Sequence, residues 1–393
     1  MAPTIFPPMP SAPDRQPRVA VVVDWLSQLG GAELVIREIL AAFPDATLHA
    51  LFDVMRPADR ATITDRLAQT SFLQRLPRIG ERYRRLLAIM PAAVRSLDLR
   101  HAEVVISSHH AVAKGVRIRP GQFHLCYCHT PARYLWDRRE EYLADHGIRG
   151  AKGFVARRVL ERLQKWDRRT ADSVDRFVVN SAFVQGRVKR QYERESEVIH
   201  PPVDIDFFTP EGNREPALYV TASRQVPYKR VDRVVEAFRA MPTRRLVVLG
   251  AGPQHERIRA LAEGAQNIEI RGEVGRAELR DWFRRARAFV FAAEEDFGIV
   301  ALEAQACGTP VIALGRGGSL ETVRGAEGPE RTGLFFDDDR AVCIRAGVER
   351  FEALAAAPTA TACRAQAERF TASRFREALR TAVFEGWRVK RGD

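Results

Sequence analysis

Short, nearly continuous apolar runs alternate along this chain with longer stretches in which apolar side chains recur at helical spacing. The first run, Val19-Ala20-Val21-Val22-Val23, has no polar face, as expected of a parallel strand covered on both sides. Similar runs predict strands at 18–24, 47–52, 103–108, 124–128 and 176–181, then a short, proline-broken strand at 197–202. A second series falls at 217–222, 245–249, 268–271, 288–291 and 311–313. Between the runs the pattern predicts helices, among them 34–43, 151–172, 182–192, 299–306 and 371–389. The last of these carries Phe375, Leu379, Val383 and Trp387 on one face. Repeated strand–helix alternation implies an α/β protein with two Rossmann-like, doubly wound parallel-sheet domains. The expected organisation is a disordered leader over 1–17, which holds six prolines, then domains at 18–205 and 206–370. A C-terminal helix within 371–393 is expected to pack back on the first domain.

Composition changes this picture in one respect. The length of 393 residues and 46% apolar content suit two globular domains, but the net charge is +12, most of it from arginine. A genome rich in G and C would raise arginine; so would an anionic partner. Nucleic acid is disfavoured, because no strand interleaves basic and aromatic residues and there is neither a recognition-helix pattern nor zinc spacing. Over 66–100, Phe72, Leu73, Leu76, Ile79, Tyr83, Leu86, Leu87 and Met90 are mixed with Arg75, Arg78, Arg82, Arg84 and Arg85. Such a segment suits an anionic membrane surface, or a helix pair with a solvated face. No apolar stretch reaches the roughly 18 residues a bilayer span needs, and no signal peptide is evident. The expected location is therefore cytoplasmic, peripheral on the inner face of the membrane. Five cysteines in this length form no disulfide framework, and Cys126 and Cys128 read as buried thiols on one strand.

The stretch richest in chemistry is Glu295-Asp296-Phe297-Gly298-Ile299-Val300-Ala301-Leu302-Glu303, which joins a predicted strand to a predicted helix. Free N–H groups at a helix start bind anions, and a glycine lets a ligand approach the backbone. The flanking carboxylates Glu295 and Glu303 suit hydroxyls, so the stretch suggests a sugar and a ribose on either side of a diphosphate. After the strand at 217–222, Arg224 and Lys229 offer a fork and a point charge for that diphosphate, or else ordinary surface charge. The turn Gly250-Ala251-Gly252-Pro253 opens at the same edge. In the first half, Gly30 and Gly31 lie between strand and helix, fit either for a ligand or for a tight turn. His109, His110 and Lys114 follow one strand and His129 another, both at the carboxyl edge where open parallel sheets bind ligands. None has metal-ligand spacing.

Arg224 to Arg230 with Val231-Asp232, the Gly250 turn, and Glu295-x-Phe297-Gly298-x4-Glu303-Ala304 through Gly308-Thr309-Pro310-Val311 resemble the group-one, retaining, nucleotide-sugar-dependent glycosyltransferases of the GT-B fold. Ser107-Ser108-His109-His110-Ala111-Val112-Ala113-Lys114-Gly115 and Tyr127-Cys128-His129-Thr130-Pro131-x-Arg133-Tyr134-Leu135-Trp136-Asp137 resemble a subgroup that often acts as mannosyltransferases in O-antigen (lipopolysaccharide) and exopolysaccharide synthesis. The resemblance runs from about residue 18 to 390, and at His109 the chain departs from the subgroup's usual serine.

The resemblance implies two domains facing a cleft, the first binding acceptor and the second the nucleotide sugar. Glu303 is then expected at the ribose and Glu295 at the donor sugar, with the backbone N–H groups of Phe297, Gly298, Ile299 and Val300 facing the diphosphate. Arg224 and Lys229 neutralise the leaving group, and Gly272 to Val274 hold the base. Gly30 and Gly31 close from the opposite domain, His129 approaches the donor sugar, and His110 and Lys114 help position substrate. The implied reaction moves a hexose, with GDP-mannose the favoured donor, to a lipid-linked or oligosaccharide acceptor. The nucleotide sugar serves as co-substrate, with no cofactor and no metal. A UDP-sugar donor, or nucleotide-sugar epimerase chemistry on the same fold, are the alternatives.

Overall fold

The computed structural model describes residues 15–145, 147, 148 and 150–392; most of the expected leader, 1–14, lies outside that range. The described residues form two parallel sheets. The first contains β1 (Val19–Val23), β2 (Thr47–Ala50), β3 (Gln69–Thr70), β4 (Val104–His109), β5 (Phe123–Cys128), β6 (Arg176–Val179) and β7 (Glu197–Val198), in the order β3-β2-β1-β4-β5-β6-β7. The second contains β8 (Leu218–Ala222), β9 (Arg245–Leu249), β10 (Ile268–Gly272), β11 (Ala288–Phe291), β12 (Val311–Leu314) and β13 (Gly333–Phe336), in the order β10-β9-β8-β11-β12-β13. Sequence pattern missed β3 and β13, short edge strands whose runs are too brief to stand out.

Both faces of each sheet are covered, which is why the central strands lack polar positions. Val19, Val21 and Val23 join one core while Ala20 and Val22 join another. Leu218 and Val220 divide from Tyr219 in the same way across the second sheet. In each sheet the strand order reverses beside the first strand, between β1 and β4 and between β8 and β11. Ligands of open α/β sheets bind in the crevice outside the carboxyl ends at such a reversal.

The chain crosses between the halves twice, and the crossings touch: the Val203 N–H donates to the Phe370 carbonyl at 2.8 Å. Val203, Phe208 and Phe370 belong to the second half's core, so the chain enters that core at Val203, just ahead of the expected 206. The last helix, Ala372–Arg391, lies on the first half, where Phe375, Leu379, Val383 and Trp387 enter the same core as β1. Its Arg380 guanidinium donates to the Ala42 carbonyl, which ends the first helix, Gly31–Ala42, at 2.7 Å.

The basic segment forms a short 3₁₀ turn, Phe72–Arg75, and then an unbroken helical run made of Ile79–Arg82, Tyr83–Ile89 and Met90–Arg95, with tighter 3₁₀ winding at its centre. Pro77 and the left-handed Arg78 (φ 53°) separate the two. Leu73, Ile79 and Met90 are buried, leaving Phe72, Leu76 and Ile89 exposed beside Arg75, Arg78, Arg82, Arg84 and Arg85. None of these five arginines forms an ion pair among the described residues. Among the described residues no helix is long and apolar enough to cross a membrane.

Candidate active site

The first half's crevice is built around Asp24, the acid that ends the apolar run of β1. Its buried carboxylate accepts the N–H groups of His110 (2.8 Å), Ala111 (3.0 Å), Val112 (2.6 Å) and Ala113 (2.7 Å), fixing the loop after β4. The half-exposed His110 places Nδ1 3.1 Å from the same carboxylate. His129, after β5, shares a hydrogen bond with the Ser108 hydroxyl (2.8 Å), and its ring centroid lies 6.4 Å from that of His110. Burial, with a smaller push from His110, draws the His129 pKa down to about 3, so the ring is neutral at neutral pH. Beside them Glu33, in the first turn of the first helix, is held above the usual carboxylate range by burial, against His110 and the N–H groups of Glu33 and Gly30. Asp24 and Glu33 were not singled out from the sequence, although an acid closing an otherwise apolar strand is a readable signal.

Lys114 does not reach this crevice, contrary to expectation. Its fully buried ammonium donates to the Asp167 carboxylate and carbonyl, each at 2.5 Å, and to the Thr170 hydroxyl at 2.9 Å. A buried cation needs such a saturated shell, and here it leaves no donor for a substrate. His109 belongs to the same network. Burial, then Lys114, holds it well below the usual histidine range, so it is neutral; its Nδ1 accepts the Lys114 N–H and its Nε2 faces the Tyr192 hydroxyl, both at 3.4 Å. Its departure from serine therefore fills a core position.

In the second half, Lys229 and Glu295 come from the strand ends that flank the reversal and form an ion pair. Burial, followed by the cations Arg133, Arg138 and Arg224, draws the Lys229 pKa down to about 7, against the pull of Asp296. Arg224 is exposed on the same loop. That loop is braced by the Gly250 turn: the Gln225 N–H donates to the Ala251 carbonyl at 2.9 Å and its side-chain amide to the Gly250 carbonyl at 2.6 Å. Gly298 takes the left-handed conformation (φ 89°) that turns the chain into the helix Ile299–Ala306. The first bond there runs from the Ala301 N–H to the Gly298 carbonyl, leaving the N–H groups of Ile299 and Val300 without a helical acceptor. The Phe297 ring is buried and stacks on His200, so only its backbone can serve a ligand. Gly272 and Val274 lie at the end of β10, two strands from β8; the Gly272 carbonyl accepts the Gly250 N–H at 2.5 Å, and Val274 packs on the core.

The two crevices meet. A Cβ on Gly31 would come within 3.2 Å of Ile299 Cδ1, so the first half's glycine loop closes directly on the start of the second half's helix. Between them lies a cavity of about 360 Å³, lined among others by Leu34, Glu38, Asp204, Ile299, Glu303 and Arg376. Glu303 is raised to about 7 by burial, with Arg276 opposing and Asp204 reinforcing the shift. Gly31 thus meets the helix start, with His110 and His129 in the first half's crevice and Lys229 and Glu295 in the second's, and Gly272 and Val274 farther along the second sheet's edge. Among the described residues no three His, Cys, Asp or Glu side chains gather as a metal site would require.

Two Rossmann-like domains meeting at their strand-order reversals define the GT-B fold. Solved structures share it: Anabaena HepE in complex with UDP and glucose (TM-score 0.64, 16% identity, covering 93% of this chain and 99% of that one) and the apo lipopolysaccharide outer core galactosyltransferase WaaB (TM-score 0.62, 16% identity, 94% and 99%). Residues 29–207 match Glycosyltransferase Family 4 and residues 203–370 match Glycosyl transferases group 1, and the two matches together support a glycosyltransferase of the group-1 type. Curated relatives include D-inositol 3-phosphate glycosyltransferases of Streptomyces scabiei (32% identical over 184 residues, 39% of this chain) and Mycolicibacterium paratuberculosis (32% over 255 residues, 58% of this chain). The chain spans 41% of the length of the first and 57% of the second.

Proposed function

We propose that this protein transfers a hexose from a nucleotide sugar to a lipid-linked or oligosaccharide acceptor, with GDP-mannose the leading donor. The observation that supports the reading is the approach of the Gly31 loop to the Ile299 helix start, which joins the crevice holding His110 and His129 to the one holding Lys229 and Glu295. The donor diphosphate would lie between Lys229, Arg224 and the N–H groups of Ile299 and Val300, displacing Glu295 from Lys229 and freeing it for sugar hydroxyls. Glu303 would take the ribose, and Gly272 and Val274 the base.

In the reaction the bond from anomeric carbon to diphosphate breaks, its electron pair leaving on the phosphate oxygen. Lys229 and Arg224 stabilise that charge as it develops. Closure of the two halves keeps water from the oxocarbenium-like centre. In a retaining course the acceptor oxygen bonds to the same face of the carbon, and its proton passes to the departing phosphate. Neutral His129 suits a hydrogen bond to the sugar. The charge-based arrangement calls for no metal.

A UDP-sugar is the second reading, favoured by HepE, whose structures hold UDP and UDP-glucose. A thermal-shift panel of GDP- and UDP-sugars decides between them, since a bound donor stabilises by mass action. Transfer to lipid-linked, oligosaccharide and inositol phosphate acceptors follows with the winning donor. No stabilisation by any nucleotide sugar would overturn the reading.

The acceptor's lipid fits one surface of the first half. Leu87 shares a small core with Leu143 and Leu160, bringing the Tyr83–Ile89 turn beside the helix Gly150–Thr170. Exposed Ile89, Phe154 and Val155 stand there among unpaired arginines, a composition suited to an anionic membrane on the inner face of the cell.

A further inference from the structure

The motif His129-Thr130-Pro131-Ala132-Arg133 ends on a cation the proposed chemistry does not use. Arg133 reaches out of the first half and touches both loops of the donor site. Its guanidinium pairs with Asp296, neighbour of Glu295, at 2.7 Å, and lies 5.2 Å over the ring of Tyr228, neighbour of Lys229. Arg138 covers the same ring at 4.6 Å. Asp296 is gripped further: Arg187 reaches its other carboxylate oxygen at 3.0 Å, and the Ser181 hydroxyl donates to its carbonyl at 2.5 Å. Every one of these partners belongs to the first half.

We propose that Arg133 is a positioning residue that clamps the Tyr228-Lys229 and Glu295-Asp296 loops together, so that a nucleoside diphosphate meets an assembled site only when the two halves are closed. The loop that carries His129 carries the clamp four residues later, so closure aligns sugar-facing and phosphate-facing groups in one movement. Lysine cannot replace the guanidinium, because a planar fork both pairs with the carboxylate and stacks on the ring.

The clamp also has an electrostatic signature. Facing Lys229 are Arg133 and Arg138 from the first half and Arg224, Tyr228, Glu295 and Asp296 from the second. A diphosphate raises the lysine's pKa above its free value near 7, so affinity is fully present below pH 7 and falls as pH rises through it. Removing the Arg133 charge moves that fall to higher pH.

The inference rests on the nucleotide-sugar reading, and calorimetric titration of UDP and GDP into the full chain, from pH 6 to 9, separates the two. The expected result is binding by the wild type, weakened about 10- to 100-fold in R133K and in D296N, the loss expected for a charge-assisted hydrogen bond. The double variant should bind no worse than the weaker single one. R133Q should shift the alkaline fall upward, whereas R133K should leave it in place. Wild-type affinity in both R133K and D296N, or additive losses in the double variant, would overturn the clamp alone. A wild type that binds neither nucleotide would overturn the donor reading with it.

Discussion

Lys229 and Glu303 are both partly buried groups with shifted pKa values, and they make opposite demands. Replacing Lys229 by Ala should lower turnover by about 100- to 1,000-fold, since a preorganised cation is lost from the departing charge; a near-normal rate with saturating donor would remove the diphosphate assignment. Glu303, raised to about 7, binds more protons folded than unfolded between pH 4.5 and 7, so its contribution to stability falls as pH rises through that window. The variant Glu303→Gln should therefore melt a few degrees higher than wild type at pH 8 and at the same temperature near pH 4, while binding donor more weakly. Calorimetry at the two pH values checks this, and a gain that persists undiminished near pH 4 would refute the assignment to ionisation. Buried residues also mark the limit of sequence reading at this scale. Lys114 and His109 stand in a motif at the ligand edge, yet Asp167, 53 positions downstream, supplies the partner that turns the lysine inward. Spacing within a motif carries no trace of so distant a partner.

At the scale of elements the central strands were legible because two-sided burial leaves a continuous apolar run. Amphipathicity was less reliable. The 66–100 segment has the composition of one basic helix, but Pro77 and Arg78 divide it into a short turn at Phe72–Arg75 and a helical run over 79–95 whose centre winds as 3₁₀. Part of the support of the Glu295 loop was also invisible, because it comes from backbone. The Gly318 N–H donates to the Glu295 carbonyl at 2.8 Å, and a Cβ on Gly318 would lie 2.3 Å from Phe297 Cα. No side chain fits without moving the loop. The variant Gly318→Ala should cost about 1–3 kcal/mol of stability and weaken nucleotide binding, read by chemical denaturation and titration; unchanged values would show that the loop yields freely.

For the whole molecule, charge and shape act together. Most arginines described here are paired with acids, whereas those of the Tyr83–Ile89 face are not. Replacing Arg82, Arg84 and Arg85 with Glu should abolish binding to vesicles rich in anionic lipid while leaving nucleotide binding intact. Phe154→Ala with Val155→Ala should weaken vesicle binding less, because the charge term persists. Sedimentation with vesicles measures both, and unchanged binding by the arginine variant would exclude this face.

The seating of the last helix in the core around β1 bears on how the protein is made. The second half is synthesised between two pieces of the first, so the ribosome releases a complete second half before the first has received its final element. The nascent first half must wait with the surface for Phe375, Leu379, Val383 and Trp387 uncovered, a state open to chaperones or aggregation. Trp387→Ala should therefore depress the yield of soluble protein and unfold the first half ahead of the second, visible as two transitions where the wild type shows one.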